Sequence, residues 1–183
     1  MSETRYAALL RGINVGGNNL IKMLDLRSSF EKMGHTEVVT YIQSGNVVFS
    51  SKQKNKAKLT ELIEKALSDA FSYESRVVVI SREEMERLFA QAPKGFGQDA
   101  ALYRYDVLFV RDPAKATELL AEVKTTPGVD TAHAGDHALY FRRLISKADQ
   151  STLHKLPQRA AFKNITVRNW NTTMKLFEML RKN

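Results

Sequence analysis

The sequence of 183 residues contains no cysteine, four prolines, one tryptophan and no apolar run approaching membrane-spanning length. The lack of cysteine excludes a disulfide framework, thiol chemistry and any cysteine-ligated zinc or iron–sulfur centre. A bilayer-spanning helix needs about 20 successive apolar residues, and the N-terminus lacks the basic and apolar pair of a signal peptide. A soluble cytoplasmic protein that neither spans nor enters a membrane is therefore expected. The remaining composition is ordinary: 43% hydrophobic and 26% charged residues, with no low-complexity tract. That balance excludes disorder, collagen-like repeats and long coiled coils. The length suffices for one large domain or two small ones with a core.

Charge is unevenly placed. Residues 1–139 hold 18 Lys/Arg and 18 Asp/Glu, whereas residues 140–183 hold ten basic residues and two acidic ones, Asp149 and Glu178, so the formal +8 lies in the last quarter. A local positive potential of this kind favours polyanions or phosphorylated ligands, although a solvated basic face would serve solubility alone.

Hydrophobic periodicity yields an order of elements. Tyr6–Leu10 reads as a strand feeding the turn-rich segment Arg11–Asn19, and a helix from about Met23 carries Leu26, Phe30 and Met33 before stopping at Gly34. Val38–Ile42 and Asn46–Ser50 form a hairpin around Gln43, Ser44 and Gly45, and the apolar series Leu59, Ile63 and Leu67 marks a second helix. Arg76–Ile80 is a strand, and Ser81 with Glu84 forms a capping box that opens a helix with Met85, Leu88 and Phe89. The first half reads βαββαβα.

The pattern restarts after Pro93. Tyr105–Val110 is a strand, Asp112 and Pro113 read as the N-cap and first residue of a helix, and a hairpin turns at Gly135 and Asp136. Ser146 to about Ala161 reads as a helix bent near Pro157, Ile165–Val167 as a strand, and Asn171 or Thr172 as the cap of a last helix. Two copies of one order, offset by about 90 to 100 residues, predict an α+β protein of two tandem ferredoxin-like subdomains with antiparallel sheets, spanning 1–93 and 94–183.

This topology brings the end of the first strand beside the first hairpin. Two loops rich in small and amide residues then converge, offering Arg11, Asn14, Gly16 and Gly17 from one and Gln43, Ser44 and Asn46 from the other. Glycines admit close backbone approach to an anion, Arg11 adds charge, and the amides supply neutral donors and acceptors. The same residues also suit tight turns, and Gly12–Gly17 has neither the ending nor the spacing of a Walker A loop. A third cluster, Arg168, Asn169, Trp170 and Asn171, sits where the last strand becomes the last helix. Trp170 could stack on a ring while Arg168 holds a phosphate or carboxylate, or it could be a core aromatic beside a helix cap.

Three segments, Arg11-Gly-Ile-Asn-Val-Gly-Gly17, Thr40-Tyr-Ile-Gln-Ser-Gly-Asn-Val-Val-Phe49 and Arg168-Asn-Trp-Asn-Thr172 followed by Lys175, resemble the signatures of the domain-of-unknown-function family 1697. The resemblance implies a bacterial-type protein of two ferredoxin-like subdomains without an established activity, and it adds Lys175 to the candidate ligand-binding residues. Pro93–Tyr103 matches no family motif.

No cofactor is indicated, and no metal site. His133 and His137 straddle the Gly135–Asp136 turn with only Asp136 as a third donor, and no Gly-x-Ser-x-Gly elbow or carboxylate pair is present. Whether the protein is an enzyme stays open. Three readings remain: a small anionic ligand, phosphorylated or nucleotide-like, at the converging loops; a nucleic acid or other polyanion on the basic last quarter; or a non-catalytic interaction scaffold. The oligomeric state is not readable from the sequence.

Overall fold

The computed structural model describes residues 3–17 and 19–182. They form two compact units, Met1–Met85 with Leu176–Asn183, and Glu86–Lys175. The division falls inside a helix and returns the C-terminal segment to the first unit, whereas the sequence places the boundary at 93/94.

In the first unit the order is β1 (Thr4–Leu10), α1 (Met23–Lys32), β2 (Thr36–Tyr41), β3 (Asn46–Ser51), α2 (Lys56–Phe71) and β4 (Val77–Ser81), followed by α3 (Arg82–Gln91), which runs on into the second unit. The strands pair in the order β2-β3-β1-β4, and every pairing is antiparallel. This is the ferredoxin-like arrangement the element order predicts. Alternate residues of the strands, Tyr6, Ala8 and Leu10 on β1 with Val47 and Phe49 on β3, pack with Leu26 and Phe30 of α1 and with Leu59, Ile63 and Leu67 of α2. Both helices therefore cover one face, as period-2 strands and period-3.6 helices require. Ala7, Leu9, Val48 and Ile80 on the opposite face are buried too, which accounts for the near-continuous apolar runs of these strands. The capping box forms as read: Ser81 N–H donates to Glu84 Oε2 at 2.8 Å, and Glu84 N–H donates to Ser81 Oγ at 3.2 Å.

The second unit repeats the scheme with β5 (Tyr103–Val110), α4 (Ala116–Ala121), β6 (Asp130–Ala134), β7 (Ala138–Leu144) and β8 (Ile165–Asn169), strand order β6-β7-β5-β8, before α5 (Trp170–Arg181). Three local expectations are corrected. The predicted helix over 146–161 is three 3₁₀ segments, Ile145–Gln150, Leu153–Gln158 and Ala160–Phe162. The buried apolar residues Leu153, Leu156 and Phe162 of these segments recur in multiples of three, which suits three residues per turn and not 3.6. Asp112 and Pro113 do not open α4: Ala114 N–H bonds the Arg111 carbonyl at 3.1 Å, closing a turn, and the helix begins at Ala116. The cap of α5 is Asn169, whose Oδ1 accepts from Thr172 N–H at 2.8 Å, two or three residues before the expected Asn171 or Thr172. No helix among the described residues is long and apolar enough to cross a membrane.

Candidate functional site

In the first unit the two loops do meet. Leu10 N–H donates to the Gly45 carbonyl at 2.8 Å, and Asn14 Nδ2 reaches the Gln43 carbonyl at 2.8 Å. Much of their polarity is spent inside the loops. Asn14, at φ +53°, also donates from Nδ2 to the Ile21 carbonyl at 2.9 Å and accepts from Ile21 N–H at 2.8 Å. Asn46 is fully buried, with Nδ2 donating to the Tyr41 carbonyl at 3.0 Å and to Ser44 Oγ at 3.1 Å. Gly45 has φ +78°, and a Cβ there would lie 2.6 Å from Ile13 Cδ1, so the residue serves both turn and packing. Arg11 is half-buried, and burial lowers its pKa; Gly16, Gly17 and Gln43 are exposed. The loop also exposes two apolar side chains, Val15 and Leu20.

In the second unit a cleft of about 490 Å³ opens where β8 passes into α5. Asn169, Trp170 and Asn171 line it, as do Tyr103, Tyr105 and Arg104 from the start of β5 and Arg143 from the end of β7. Antiparallel register explains the gathering: Tyr103 pairs with Leu144, Arg104 with Arg143, and Asp106 with Asn169, so one strand start and two strand ends meet at the same end of the sheet. The indole of Trp170 packs against Phe89 at 4.7 Å and edge-on against Phe96 at 5.1 Å between ring centroids, which leaves it half-buried and able both to brace the fold and to face the cleft. Gly97, at φ +88°, lies against the indole: a Cβ there would sit 2.3 Å from Trp170 Nε1.

The charges around the cleft are unequal in their commitments. Arg104 Nε donates to both carboxylate oxygens of Asp106, at 2.8 and 3.2 Å. The Arg142 guanidinium lies 4.7 Å from the Tyr103 ring centroid, a cation–π contact that stiffens one wall. Arg143 is half-buried and has no hydrogen-bond or ion-pair partner among the described residues. Arg168, the cation expected to hold an anion, is 8% exposed; its Nη1 donates to the Val167 carbonyl at 2.8 Å, and burial pushes its pKa down to about 10. It does not line the cleft, nor does Lys175.

Of the candidate residues in 168–175, the structure thus places Asn169, Trp170 and Asn171 at one cleft. The cleft residues the sequence reading missed are Tyr103, Arg104, Tyr105 and Arg143. Their only signal was the Tyr-Arg-Tyr alternation at the start of one strand and the adjacent basic pair Arg142 and Arg143 at the end of another.

A solved structure of a conserved bacterial protein from Streptococcus pneumoniae is similar to this chain, with a TM-score of 0.87 and 28% identity over 99% of this chain and 100% of that chain. No curated protein matches the sequence. A family model described as a protein of unknown function, DUF1697, matches residues 3–140, taking in the Arg11 and Thr40 segments and ending before Arg168. With most of its length matched, the chain belongs to the DUF1697 family.

Proposed function

We propose that the protein binds a small anion carrying a ring, of the nucleotide or phosphorylated-metabolite class, in the cleft at the start of α5. The observation that carries this reading is the position of Arg143, half-buried and without a partner among the described residues, in the same cleft as the Trp170 and Tyr103 rings. A cation held in a partly dry cavity beside aromatic faces favours a ligand that combines negative charge with a stacking surface. Asn171 is exposed at the first turn of α5, where backbone N–H groups and the helix dipole add to the attraction.

Titration with adenosine 5′-monophosphate, read by the emission of Trp170, tests the reading, since no other tryptophan contributes. Arg143→Ala should weaken binding at least about tenfold, as a charge-assisted hydrogen bond contributes about 1.5–3 kcal/mol. Arg11→Ala should leave binding unchanged. The opposite pattern would move the ligand to the glycine-rich loop, and no response to nucleotides or sugar phosphates at millimolar concentration would end the proposal.

A polyanion reading is favoured by a different observation, the exposure of Lys155, Arg159 and Lys163 along the 3₁₀ segments. Its signature is affinity that falls steeply with salt and grows with oligonucleotide length.

A further inference from the structure

We infer that the ligand of this cleft is a monoanion that carries its ring on one side of the charge and a short apolar arm on the other. The inference rests on the binding reading above and adds a second cavity to it. That cavity, about 230 Å³, has an apolar lining of Leu108, Phe141, Leu153 and Val167, and its remaining lining residues are Arg104, Asp106 and Arg143. The two arginines also line the larger cleft, so the cavities meet at them.

The second cavity has a structural origin. It lies on the side of the sheet where Leu108, Phe141 and Val167 form a core with α4 residues. In the first unit the connection between β3 and β4 carries α2, and Leu59, Ile63 and Leu67 fill the matching layer. The connection between β7 and β8 carries only 3₁₀ segments, which bring Leu153 onto the sheet without closing the space beside it. At about 30 Å³ per water-sized group, the cavity has room for roughly eight heavy atoms, a butyl arm and the phosphate group that carries it.

The charge count selects the anion. Arg104 and Arg143 stand directly opposite each other across the β5–β7 pair, a like-charge arrangement that is unfavourable unless neutralised. Asp106, two residues along β5 and therefore on the same face, answers Arg104 through both carboxylate oxygens. Among the charged groups that line the two cavities, one positive charge remains, on Arg143; Asp130, its cross-strand neighbour on β6, lines neither and accepts from Thr126 N–H at 2.7 Å. A phosphodiester, with a single negative charge, balances Arg143, whereas a phosphomonoester brings about half to one charge more. With Trp170 and Tyr103 on one side of the arginine pair and Leu153 and Val167 on the other, the order within the ligand is ring, monoanion, apolar arm.

The experiment uses the whole chain, with the methyl, butyl and octyl phosphodiesters of adenosine 5′-monophosphate as probes, titrated by Trp170 emission and calorimetry. The esters share ring and charge, so differences report the arm alone. A buried methylene is worth about fourfold in affinity, so the butyl ester should bind at least about tenfold more tightly than the methyl ester, and the octyl ester should gain nothing more. Val167→Phe, which fills the second cavity, should bring the butyl ester to the affinity of the methyl ester and change the methyl ester by less than about twofold. Should that variant fail to fold, the ester series on the natural protein still decides. Equal binding of methyl and butyl esters would overturn the apolar arm and leave the cleft reading intact. Failure of every ester and of the parent nucleotide would overturn both. A dinucleoside monophosphate binding more tightly than the butyl ester would overturn the arm in favour of a second base, and with it an oligonucleotide.

Discussion

Replacing Gly97 by alanine tests whether the wall of the second-unit cleft is braced as described. Gly97 has φ +88°, and an added Cβ would sit 2.3 Å from Nε1 and 2.4 Å from Cδ1 of Trp170. The indole cannot withdraw without opening its contacts with Phe89 and Phe96. Two costs therefore add: about 1–2 kcal/mol for an alanine in the left-handed region, and about 1–3 kcal/mol for forcing volume into a packed site. Gly128→Ala is the control, because Gly128 has φ +73° in the same unit and nothing within 4 Å of its would-be Cβ. It carries the backbone cost alone. Near 2–4 °C per kcal/mol for a chain of this size, Gly97→Ala should lower the melting temperature by roughly 5–15 °C and Gly128→Ala by only a few degrees. Scanning calorimetry gives the loss, and the emission maximum of Trp170 reports whether the indole has moved. Equal destabilisation by the two substitutions, with unchanged Trp170 emission in Gly97→Ala, would refute the packing argument.

Asn14→Ala removes three hydrogen bonds that tie the first loop to Ile21 and Gln43, and should cost about 2–4 kcal/mol of unfolding free energy measured by urea denaturation, with faster amide exchange at Ile21. His35 is buried against Phe30 and Phe49 with Nε2 unbonded, and burial lowers its pKa below the ordinary 6.5. The unfolded chain then takes up a proton before the folded one, so stability is full above about pH 6.5 and declines as pH falls toward the folded pKa. His35→Leu should remove that part of the pH dependence in denaturation curves taken between pH 7 and 5. Tyr140→Phe deletes the 2.6 Å bond from the buried hydroxyl to the Leu88 carbonyl and should cost about 1–3 kcal/mol, since it leaves a buried acceptor unmatched. Ser81→Ala should cost about 1 kcal/mol through loss of the cap on α3, measured by thermal melting.

Much of this architecture was legible because the deciding signals are local. Leu59, Ile63 and Leu67 mark α2 by spacing, Gly45 marks the β2–β3 turn by its need for positive φ, and Ser81 with Glu84 marks the start of α3 by reciprocal bonding. Repetition of one element order then restricts the sheet to few topologies. Legibility failed where two local rules compete. Between 145 and 162 a three-residue spacing of buried side chains overrode the helical reading, and at 169 an asparagine at the end of a strand took the capping role that Asn171 or Thr172 also suited.

The candidate site divides along the same line. Convergence of the Arg11 loop with the Gln43 turn follows from strand order, and strand order follows from hydrophobic periodicity, so the sequence alone determines it. Whether Asn14 and Asn46 bond inward, whether Arg168 is buried, and whether Tyr103, Arg143 and Trp170 share a cleft depend on register and burial. The cleft in particular joins residues 27 to 67 positions apart, Trp170 with Arg143 and with Tyr103. Short-range pattern sets which backbone conformations are affordable to each segment, whereas only packing decides which polar side chains meet each other and which keep a face toward solvent and ligand.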